Sequence, residues 1–590
     1  MARIPPAEFA KMRAWATLVD MCRDRSAADP GRRIFTFLEN GTDESAALTL
    51  ADLDLRARAI AVRLSELAAP GARVLLSYPP GLDFVTGFFG ALYAGMIAVP
   101  VAPVDSDSND AKKSRIESIA RSAAPDVLLT SAAAVELVKK ALAEAGRLCD
   151  LQVVASDEVP GDGAGRWTRP DIGPSTIAYL QYSSGSTGLP KGVMLRHASV
   201  LHNLDLITEN GQDDPAGRAK FISWLPIFHD MGLISGVVEP IYAGFDAVLM
   251  PPVAFVHRPF SWLRAISDAG RASGAAPNFA YEMCARRSKP EQRAQLDLSG
   301  WAIALVGAEP VRAQTMRLFA ETFAPCGFRP ETLYPSYGLA ESTVMVSGGP
   351  VGRGAVTHAF DAQALAAGLV RLAGTAPGAK ARELVGCGEI QPSVTVVITR
   401  PGTGEPSAED EVGEILVSSR SVGDGYWNQP EETERTFRAR VRGYGERDFL
   451  RTGDLGFVFG DQLFVTGRLK DVVIIDGHNH YPHDIELTVG TSHPAVREGF
   501  CCALSVDEGD AERLVVLAEV SSRQMRSQDT DRPAGDEVAT AIRRAVTAEH
   551  GIAVSDVVLL RLGTLPFTSS GKIQRMECRA RYQSENFDRL

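Results

Sequence analysis

After a short apolar run at 177–182, the chain reads Ser183-Ser184-Gly185-Ser186-Thr187-Gly188-Leu189-Pro190-Lys191-Gly192. The apolar run predicts a buried strand that ends at a loop. In that loop the glycines let successive backbone N–H groups turn toward one point, while the hydroxyls and the Lys191 ammonium add donors and positive charge. Proteins hold a polyphosphate with this combination of amides, hydroxyls and a cation. The stretch therefore predicts a phosphate-binding loop, and a Gly/Ser surface turn is the less favoured interpretation.

This loop differs from the Walker P-loop of nucleoside triphosphatases. The Walker motif needs Gly-Lys after four spacer residues, whereas Pro190 stands at the place of its second glycine. The sequence therefore predicts another class of phosphate-handling protein.

The bulk composition is that of an ordinary globular protein, with 45% hydrophobic and 23% charged residues. A chain of 590 residues is too long for a single core, so a large domain and at least one smaller one are expected. A net charge of -12 argues against a nucleic-acid binder, which would present a basic face. Eight cysteines without a CxxC pair fit a reducing cytosol and give no zinc-site spacing. The first residues, MARIPPAEFAKMRAW, lack the apolar core of a signal peptide, so a cytoplasmic location is expected.

An uncharged segment at 84–104 is long enough to suggest a membrane helix. Three glycines and two prolines interrupt it, and its helical period gives way at residue 96 to an apolar run typical of a strand. We therefore predict a buried helix followed by a buried strand, and no membrane span.

Helical and strand-like stretches alternate through the first two thirds of the chain, which is the pattern of an α/β fold with a parallel sheet covered by helices. Helices are expected at 55–67 and 114–123, and strands at 72–77 and 126–129. The fold class predicted from this alternation is α/β.

The later part of the chain changes in character. The segment 351–384 is rich in Ala and Gly and predicts an insertion outside the main core. After Arg400 come short β segments with glycine turns, which predict a β-rich subdomain. We place a domain boundary near Gly467, which gives a large N-terminal domain at 1–468 and a small α+β C-terminal domain at 469–590.

Four further motifs carry groups that suit a nucleotide. At 334–342 (YPSYGLAES) a tyrosine that can stack on adenine precedes a carboxylate that can hold Mg²⁺. At 451–454 (RTGD) an acid suits a ribose diol, and at 566–573 (PFTSSGKI) a loop presents one ammonium. Alone, each motif has a plain alternative as a turn or an exposed loop, and the charged run at 467–471 (GRLKD) also fits a solvated linker.

Taken together and in this order, the five motifs resemble the adenylate-forming superfamily, which includes acyl-CoA synthetases and adenylation domains. The resemblance spans nearly the whole chain. It implies ATP-dependent activation of a carboxylate: the acid attacks the α-phosphate, pyrophosphate leaves and an acyl-adenylate forms. A second nucleophile then takes the acyl group from AMP.

The resemblance also implies roles for single residues. The loop at 183–192, with Lys191, would hold the β- and γ-phosphates, and Glu341 with Thr187 would bind Mg²⁺. The ATP site would further include Gly307, Ala308, Glu309, Pro310, Ser336, Tyr337, Gly338, Asp454 and Arg468, with the Tyr337 ring on adenine, Gly307 to Pro310 along the adenine pocket, and Asp454 and Arg468 at the ribose.

Two lysines near the end of the chain complete these implied roles. Lys572 would bridge the carboxylate and the α-phosphate as charge develops in the transition state. Lys470 would be the hinge about which a mobile C-terminal domain swings between the two half-reactions.

The stretch at 224–233 (WLPIFHDMGL) bears on the acid that is activated. It lacks the aspartate context with which amino-acid adenylating domains pair a substrate ammonium. We expect His229 to lie near the substrate carboxylate or a phosphate, a role favoured over that of a buried core histidine. The apolar residues Ile234, Val237, Val238 and Phe245 fit either a tunnel for an acyl chain or ordinary core.

The acceptor is indicated by resemblance to one branch, the fatty acyl-AMP ligases. The stretches at 35–38, 225–233, 384–388 and 476–482 carry it, together with the extra segment at 351–384. In that branch the insertion is linked to loss of CoA ligation, and the acyl chain goes to the phosphopantetheine arm of a carrier protein. His478 departs from the branch, which often has arginine there.

No carrier motif follows Lys572, so the resemblance implies a separate holo-acyl carrier protein as partner and a medium- to long-chain fatty acid as substrate. Two alternatives stay open. One is an acyl-CoA synthetase whose insertion does not block CoA. The other is a catalytically silent adenylate-binding protein, which the presence of both Glu341 and Lys572 disfavours.

Overall fold

Two large sheets form the N-terminal part of the chain in a computed structural model, which describes residues 12–104, 110–144, 151–183, 190–209, 219–374, 380–475, 478–508, 511–521, 534–567 and 572–590. The strands of this part are β1 (Arg33–Leu38), β2 (Glu44–Thr49), β3 (Arg73–Leu76), β4 (Ile97–Pro100), β5 (Val127–Thr130), β6 (Gln152–Ala155), β7 (Ile177–Ser183), β8 (Lys191–Arg196), β9 (Lys220–Ser223), β10 (Asp246–Leu249), β11 (Ala272–Ala276), β12 (Trp301–Val306) and β13 (Leu333–Pro335). One sheet has the order β6-β5-β3-β4-β7-β8 and the other β13-β12-β11-β9-β10-β1-β2.

Both sheets are parallel except at one edge, where β2 and β8 run antiparallel to their neighbours. A parallel connection needs a crossover of a dozen or more residues, but only 39–43 separate β1 from β2, and only 184–190 separate β7 from β8. The predicted parallel α/β pattern is therefore confirmed for the sheet interiors, and short connections explain the antiparallel edges.

Helices cover these sheets. They are α1 (Leu18–Ala28), α2 (Leu50–Ser65), α3 (Asp83–Tyr93), α4 (Asp110–Ala123), α5 (Val135–Glu144), α6 (His197–Ile207), α7 (Asp230–Leu233), α8 (Glu239–Ala243), α9 (Pro252–His257), α10 (Phe260–Asp268), α11 (Asn278–Arg287), α12 (Pro290–Arg293) and α13 (Ala313–Phe323). Helix α2 begins five residues before the predicted start because Thr49 and Asp52 form a capping box with each other's backbone N–H groups.

The uncharged segment at 84–104 is a buried helix and a buried strand, as predicted. Helix α3 has Phe84, Phe88 and Phe89 almost fully enclosed, and every residue of β4 is buried. In the part of the chain that the structure describes, none of the helices combines the length and the apolarity that crossing a membrane requires.

The β-rich part follows, with β14 (Ser347–Gly348), β15 (Thr357–Asp361), α14 (Ala362–Ala366), β16 (Ala381–Val385), β17 (Glu389–Ile390), β18 (Thr395–Thr399), β19 (Gly413–Ser418), α15 (Pro430–Phe437), β20 (Leu450–Phe459) and β21 (Gln462–Arg468). Strands β18 to β21 form an antiparallel sheet in sequence order. Within the segment 351–384, Phe360 and Leu365 pack on Phe457 and Phe464 of that sheet, in a cluster of their own.

The last part holds β22 (Val473–Ile475), β23 (His478–His480), α16 (Pro482–Thr491), β24 (Val496–Glu508), β25 (Ala511–Val520), α17 (Ala534–His550), β26 (Val554–Leu560) and α18 (Arg575–Gln583). Its main sheet, β24-β25-β26, packs on α16 and α17 through a separate apolar cluster. The predicted fold class, with a large N-terminal part and a smaller α+β C-terminal part, is thereby confirmed. The division at 468 and 469 stays a prediction.

We expect Phe360→Ala to lower the melting temperature, because the ring is fully enclosed and its removal leaves a cavity between β15 and the β20–β21 hairpin. Such truncations cost about 3–5 kcal/mol. Thermal unfolding followed by circular dichroism measures the effect. The matched control is Leu372→Ala. Leu372 is 54% exposed, so this variant should have the melting temperature of the wild type. The same melting temperature for the wild type and both variants would show that this cluster does not stabilise the fold.

Candidate active site

A cavity of about 2840 Å³ lies between the N-terminal and C-terminal parts of the chain. Its wall includes most of the site residues predicted from the sequence: Lys191, His229, Ala308, Glu309, Pro310, Ser336, Tyr337, Gly338, Glu341, Asp454, Arg468, Lys470 and Lys572. Residues from distant parts of the chain therefore meet in one place.

Gly307 does not line this cavity. It lies just after β12, and a Cβ added to it would stand 3.0 Å from the Ser336 hydroxyl oxygen, so the glycine allows the two loops to approach. Ser183 ends β7, but its side chain and residues 184–189 (Ser184, Gly185, Ser186, Thr187, Gly188 and Leu189) lie outside the described structure.

Asp454 is held between a tyrosine and an arginine. The pairing of β20 with β21 places Asp454 directly opposite Arg468, and Arg468 Nε lies 3.2 Å from Asp454 Oδ1. The Tyr337 hydroxyl donates a hydrogen bond of 2.7 Å to Asp454 Oδ2. The Asp454 charge raises the pKa of Arg468, so the guanidinium stays protonated beside the carboxylate. These contacts fix both oxygens of Asp454 at the cavity wall.

The loop that carries Tyr337 depends on close backbone packing. A Cβ on Gly338 would lie 1.6 Å from the Val344 carbonyl oxygen, so no other residue fits there. Three residues on, Glu341 accepts a hydrogen bond of 2.9 Å from the Tyr426 hydroxyl. Burial raises the pKa of Glu341, and the Tyr426 hydrogen bond partly opposes that rise.

Lys191, the first residue of β8, is nearly enclosed, with 8% of its side chain exposed. Its Nζ lies 2.5 Å from Glu432 Oε1 and 4.9 Å from the centre of the Tyr426 ring. Glu432 is in the first turn of α15 and also pairs with Arg435. The cation predicted to hold phosphates thus has a carboxylate as its counter-ion.

Lys572 stands in the cavity among charges of both signs. Burial lowers the pKa of its ammonium, and the Arg468 charge lowers it further, while Asp230, Glu309 and Asp454 act in the opposite direction. Burial raises the pKa values of Asp230 and Glu309, whose carboxylates the ammonium stabilises. The lysine is therefore a partly desolvated cation on the wall of the cavity that Asp230 and Glu309 also line.

The neighbouring loops place these groups. Asp230 begins α7, and His229 precedes it at the cavity wall. Phe567 forms a β-bridge with Ile573, and the Gln574 N–H donates to the Pro566 carbonyl at 3.0 Å. Lys572 is therefore the neighbour of a residue that is tied to Phe567.

Known proteins resemble the chain at the level of family, sequence and structure. A family model of AMP-binding enzymes matches residues 22–427, and a model of the AMP domain of Disco-interacting protein 2-like proteins matches 470–589. The chain belongs to the AMP-binding enzyme family.

Two curated relatives and one solved structure indicate which branch of this family the chain resembles. The chain is 42% identical to the medium-chain-fatty-acid–[acyl-carrier-protein] ligase JamA of Moorena producens, over 97% of this chain and 96% of that protein. It is 35% identical to the long-chain-fatty-acid–AMP ligase FadD26 of Mycobacterium marinum, over 97% and 98%. A fatty acyl-adenylate ligase from L. pneumophila, solved in complex with acyl adenylate and pyrophosphate, has 37% identity and a TM-score of 0.74, with 97% of each chain covered. The resemblance to the fatty acyl-AMP ligase branch is confirmed.

In this AMP-binding enzyme, the apolar residues that the sequence allowed to be either tunnel or core belong to the core. Ile234, Val237 and Val238 form a π-helical turn with no exposed surface, and Phe245 is buried against the Phe221 ring. Other apolar residues do line the cavity, among them Val101, Ile116, Ile119, Ile207, Met231 and Val344.

The segment 351–384 of this AMP-binding enzyme reaches the C-terminal part through two basic side chains. Arg382 lies 2.8 Å from Asp484, donates to the Thr466 carbonyl at 3.1 Å and stacks 4.2 Å from the centre of the Tyr481 ring. Lys380 donates to the carbonyl oxygens of Ala548 and Glu549 at the end of α17, where the helix dipole favours a cation. Sequence reasoning missed both residues.

The carboxylate of Glu341 fits a magnesium site. Within the described ranges, no group of three or more His, Cys, Asp or Glu side chains forms a metal cluster. Mg²⁺ commonly uses one or two carboxylates together with substrate phosphates and water. The partly buried Glu341 carboxylate, which Tyr426 orients at the wall of the cavity, would supply the protein's share of such a site.

Proposed function

We propose that this chain activates a medium- to long-chain fatty acid with ATP and then transfers the acyl group to the phosphopantetheine thiol of a separate holo-acyl carrier protein. The observation that carries the proposal is that Lys572 of the C-terminal part lines the same cavity as Asp230, Glu309, Asp454 and Arg468 of the N-terminal part. The relatives named above, a fatty-acid–carrier-protein ligase and a fatty-acid–AMP ligase, support the same chemistry.

In the first step, a carboxylate oxygen of the fatty acid attacks the α-phosphorus of ATP, and the bond to the β-phosphate breaks. Two anions must approach each other, so catalysis depends mainly on neutralising charge and aligning the reacting atoms. In this proposal Lys572 neutralises the charge that develops between carboxylate and α-phosphate, and Asp454 with Tyr337 holds the nucleoside.

The leaving pyrophosphate needs cations as well. Lys191 and the loop before it would hold the β- and γ-phosphates, while Glu341, with Thr187, would hold Mg²⁺, which neutralises phosphate charge when bound. Tyr426 orients the Glu341 carboxylate for that contact. His229 lies at the cavity wall, where we propose that it contacts the carboxylate or a phosphate.

In the second step, the thiol sulfur forms a thioester with the acyl carbon and AMP leaves. We propose Lys470 as the hinge for the reorientation that admits the thiol. The ties from Arg382 and Lys380 to the C-terminal part restrict such reorientation, which favours a carrier-bound arm over free CoA.

Product analysis tests the proposed function directly. With a long-chain acid, ATP and Mg²⁺, we expect acyl-AMP and pyrophosphate, and transfer of the acyl group only when a holo-carrier protein is added. Chromatography with mass detection identifies each product. Accumulation of acyl-CoA on addition of CoA alone would select the alternative synthetase, and absence of pyrophosphate would leave only adenylate binding.

Lys572→Ala should reduce acyl-AMP formation at least about 100-fold while ATP still binds, because the ammonium matters most as transition-state charge develops. Pyrophosphate release measures the rate, and calorimetry measures ATP affinity. The control is Lys139→Ala, an exposed lysine of α5 that should react like the wild type. An unchanged rate in the Lys572 variant would remove this residue from the mechanism.

Arg382→Ala should allow acyl-CoA to form where the wild type makes little, because it removes the ion pair to Asp484 and the stacking on Tyr481. An increase of about tenfold in acyl-CoA, measured at equal acyl-AMP formation, is expected. Arg353→Ala is the matched control, since Arg353 lies in the same segment but pairs with Glu389 and Asp461 of the N-terminal part. A folded Arg382 variant without added acyl-CoA would show that this tie does not select the acceptor.

A further inference from the structure

Two cations pair with one carboxylate at the cavity wall. Glu432 Oε1 lies 2.5 Å from Lys191 Nζ, and its other oxygen pairs with Arg435 one turn along α15. Burial alone would raise the pKa of Glu432, but Lys191, Arg435 and Lys470 together lower it, so the group is a carboxylate at neutral pH. Glu432, Arg435, Lys191 and Lys470 all line the cavity.

Backbone contacts fix the helical turn that carries this carboxylate. The segment before α15 lies along β8, where the Met194 N–H donates to the Gly425 carbonyl and the Trp427 N–H donates to the Gly192 carbonyl, at 2.9 and 2.8 Å. The Thr433 hydroxyl accepts from the Tyr426 N–H at 2.9 Å and joins the start of α15 to the same segment. The backbone at Glu432 is thus fixed relative to β8.

Lys191 needs an anion at all times. Only 8% of its side chain is exposed, and an unpaired buried charge is strongly destabilising. The proposed reaction brings two phosphates to this ammonium and takes them away again as pyrophosphate. A carboxylate that bridges two cations occupies them in the same way as two oxygens of a phosphate would.

We propose that Glu432 is an exchangeable counter-ion, which occupies Lys191 and Arg435 in the empty site and yields both cations to the pyrophosphate group of ATP. Arg435 then becomes a second pyrophosphate-binding cation beside Lys191. Glu432 is a positioning residue: its return to the two cations competes with pyrophosphate and promotes release of that product. The inference rests on the proposed function, because it assigns the anion that enters the site.

The test is the binding of magnesium pyrophosphate to the full chain, without ATP or fatty acid, measured by titration calorimetry. Glu432→Gln keeps the shape of the side chain and removes its charge, so pyrophosphate should bind about tenfold more tightly. Arg435→Gln should weaken binding about tenfold. Glu431→Gln, one residue away in the same helical turn and exposed to solvent, makes the same charge change and should bind like the wild type.

A second readout separates exchange from a merely structural ion pair. Without ligand, Glu432→Gln should melt below the wild type, because Lys191 loses its partner, and added pyrophosphate should raise its melting temperature more than that of the wild type. Pyrophosphate should also inhibit acyl-AMP formation more strongly in this variant. If Glu432→Gln fails to fold, Glu432→Asp, which withdraws the charge from Lys191, should show tighter binding in the same assay.

Unchanged or weaker pyrophosphate binding in the Glu432 variants would overturn the inference and make Glu432 a permanent structural partner of Lys191. The same holds if Arg435→Gln binds pyrophosphate as the wild type does. Failure of the proposed function is a different result: no acyl-AMP forms, whatever the order of pyrophosphate affinities. If acyl-AMP forms but the wild type and the variants bind pyrophosphate with the same affinity, only the proposed exchange of Glu432 is contradicted.

Discussion

The site depends on cationic side chains that are held, partly buried, in the wall of the cavity. Bringing a carboxylate to a polyphosphate requires cations that are poorly solvated, because a desolvated cation interacts more strongly with an anion than a hydrated one does. The same desolvation makes each cation costly when the site is empty. The chain meets both demands by giving each cation an acidic neighbour: Asp454 for Arg468, Glu432 for Lys191, and Asp230 with Glu309 for Lys572.

The partners in these pairs are separated by different distances along the chain. Because one pair joins the N-terminal and C-terminal parts, the complete site exists only when the two parts meet. Asp454 and Arg468 face each other through the register of a single hairpin, so local strand pairing is enough. Lys191 meets Glu432 only because the segment before α15 lies along β8. Lys572 meets its acids only across the cavity between the N-terminal and C-terminal parts. The cavity wall therefore combines a contact within one hairpin, a contact between distant segments of the N-terminal part, and a contact between the two parts of the chain.

The sequence predicted those parts of the site whose chemistry is visible in a short motif. A glycine-rich loop, a Tyr-Gly-Glu stretch and a Gly-Lys loop, found in one chain and in this order, fit few sites besides one for a nucleotide, and the structure brings their described residues together. Glu432 and Arg382 could not be found in this way. Glu432 sits in the acidic first turn of a helix that begins with proline, where the helix dipole alone favours an acid. Arg382 is one basic residue among many in a β-strand.

The fold shows the same division between local and non-local information. Alternating apolar stretches predicted the α/β class and the helix and strand at 84–104, because burial of a continuous apolar run leaves few choices. They could not assign β1 and β2 to the sheet that contains β9 to β13, since that pairing depends on how distant segments cross over. Whether Ile234, Val237 and Val238 are core or tunnel was equally undecidable from their apolar character, which both environments demand.

In the proposed function, the choice of acceptor would depend on which contacts between the two parts of the chain can break. An enzyme that swings its C-terminal part must exchange one set of contacts for another at little net cost. Here Lys380 and Arg382 tie the segment 351–384 to the end of α17 and to Asp484, in addition to the Arg286–Glu498 pair between α11 and β24. Exposed ion pairs contribute little individually, but Arg382 also stacks on Tyr481 of the C-terminal part, so the loss of both contacts is not compensated by water alone. A thiol delivered on a protein carrier brings its own binding surface and can offset that loss, whereas free CoA brings much less. Binding energy from the carrier would in this way be coupled to the reorientation that the second step requires.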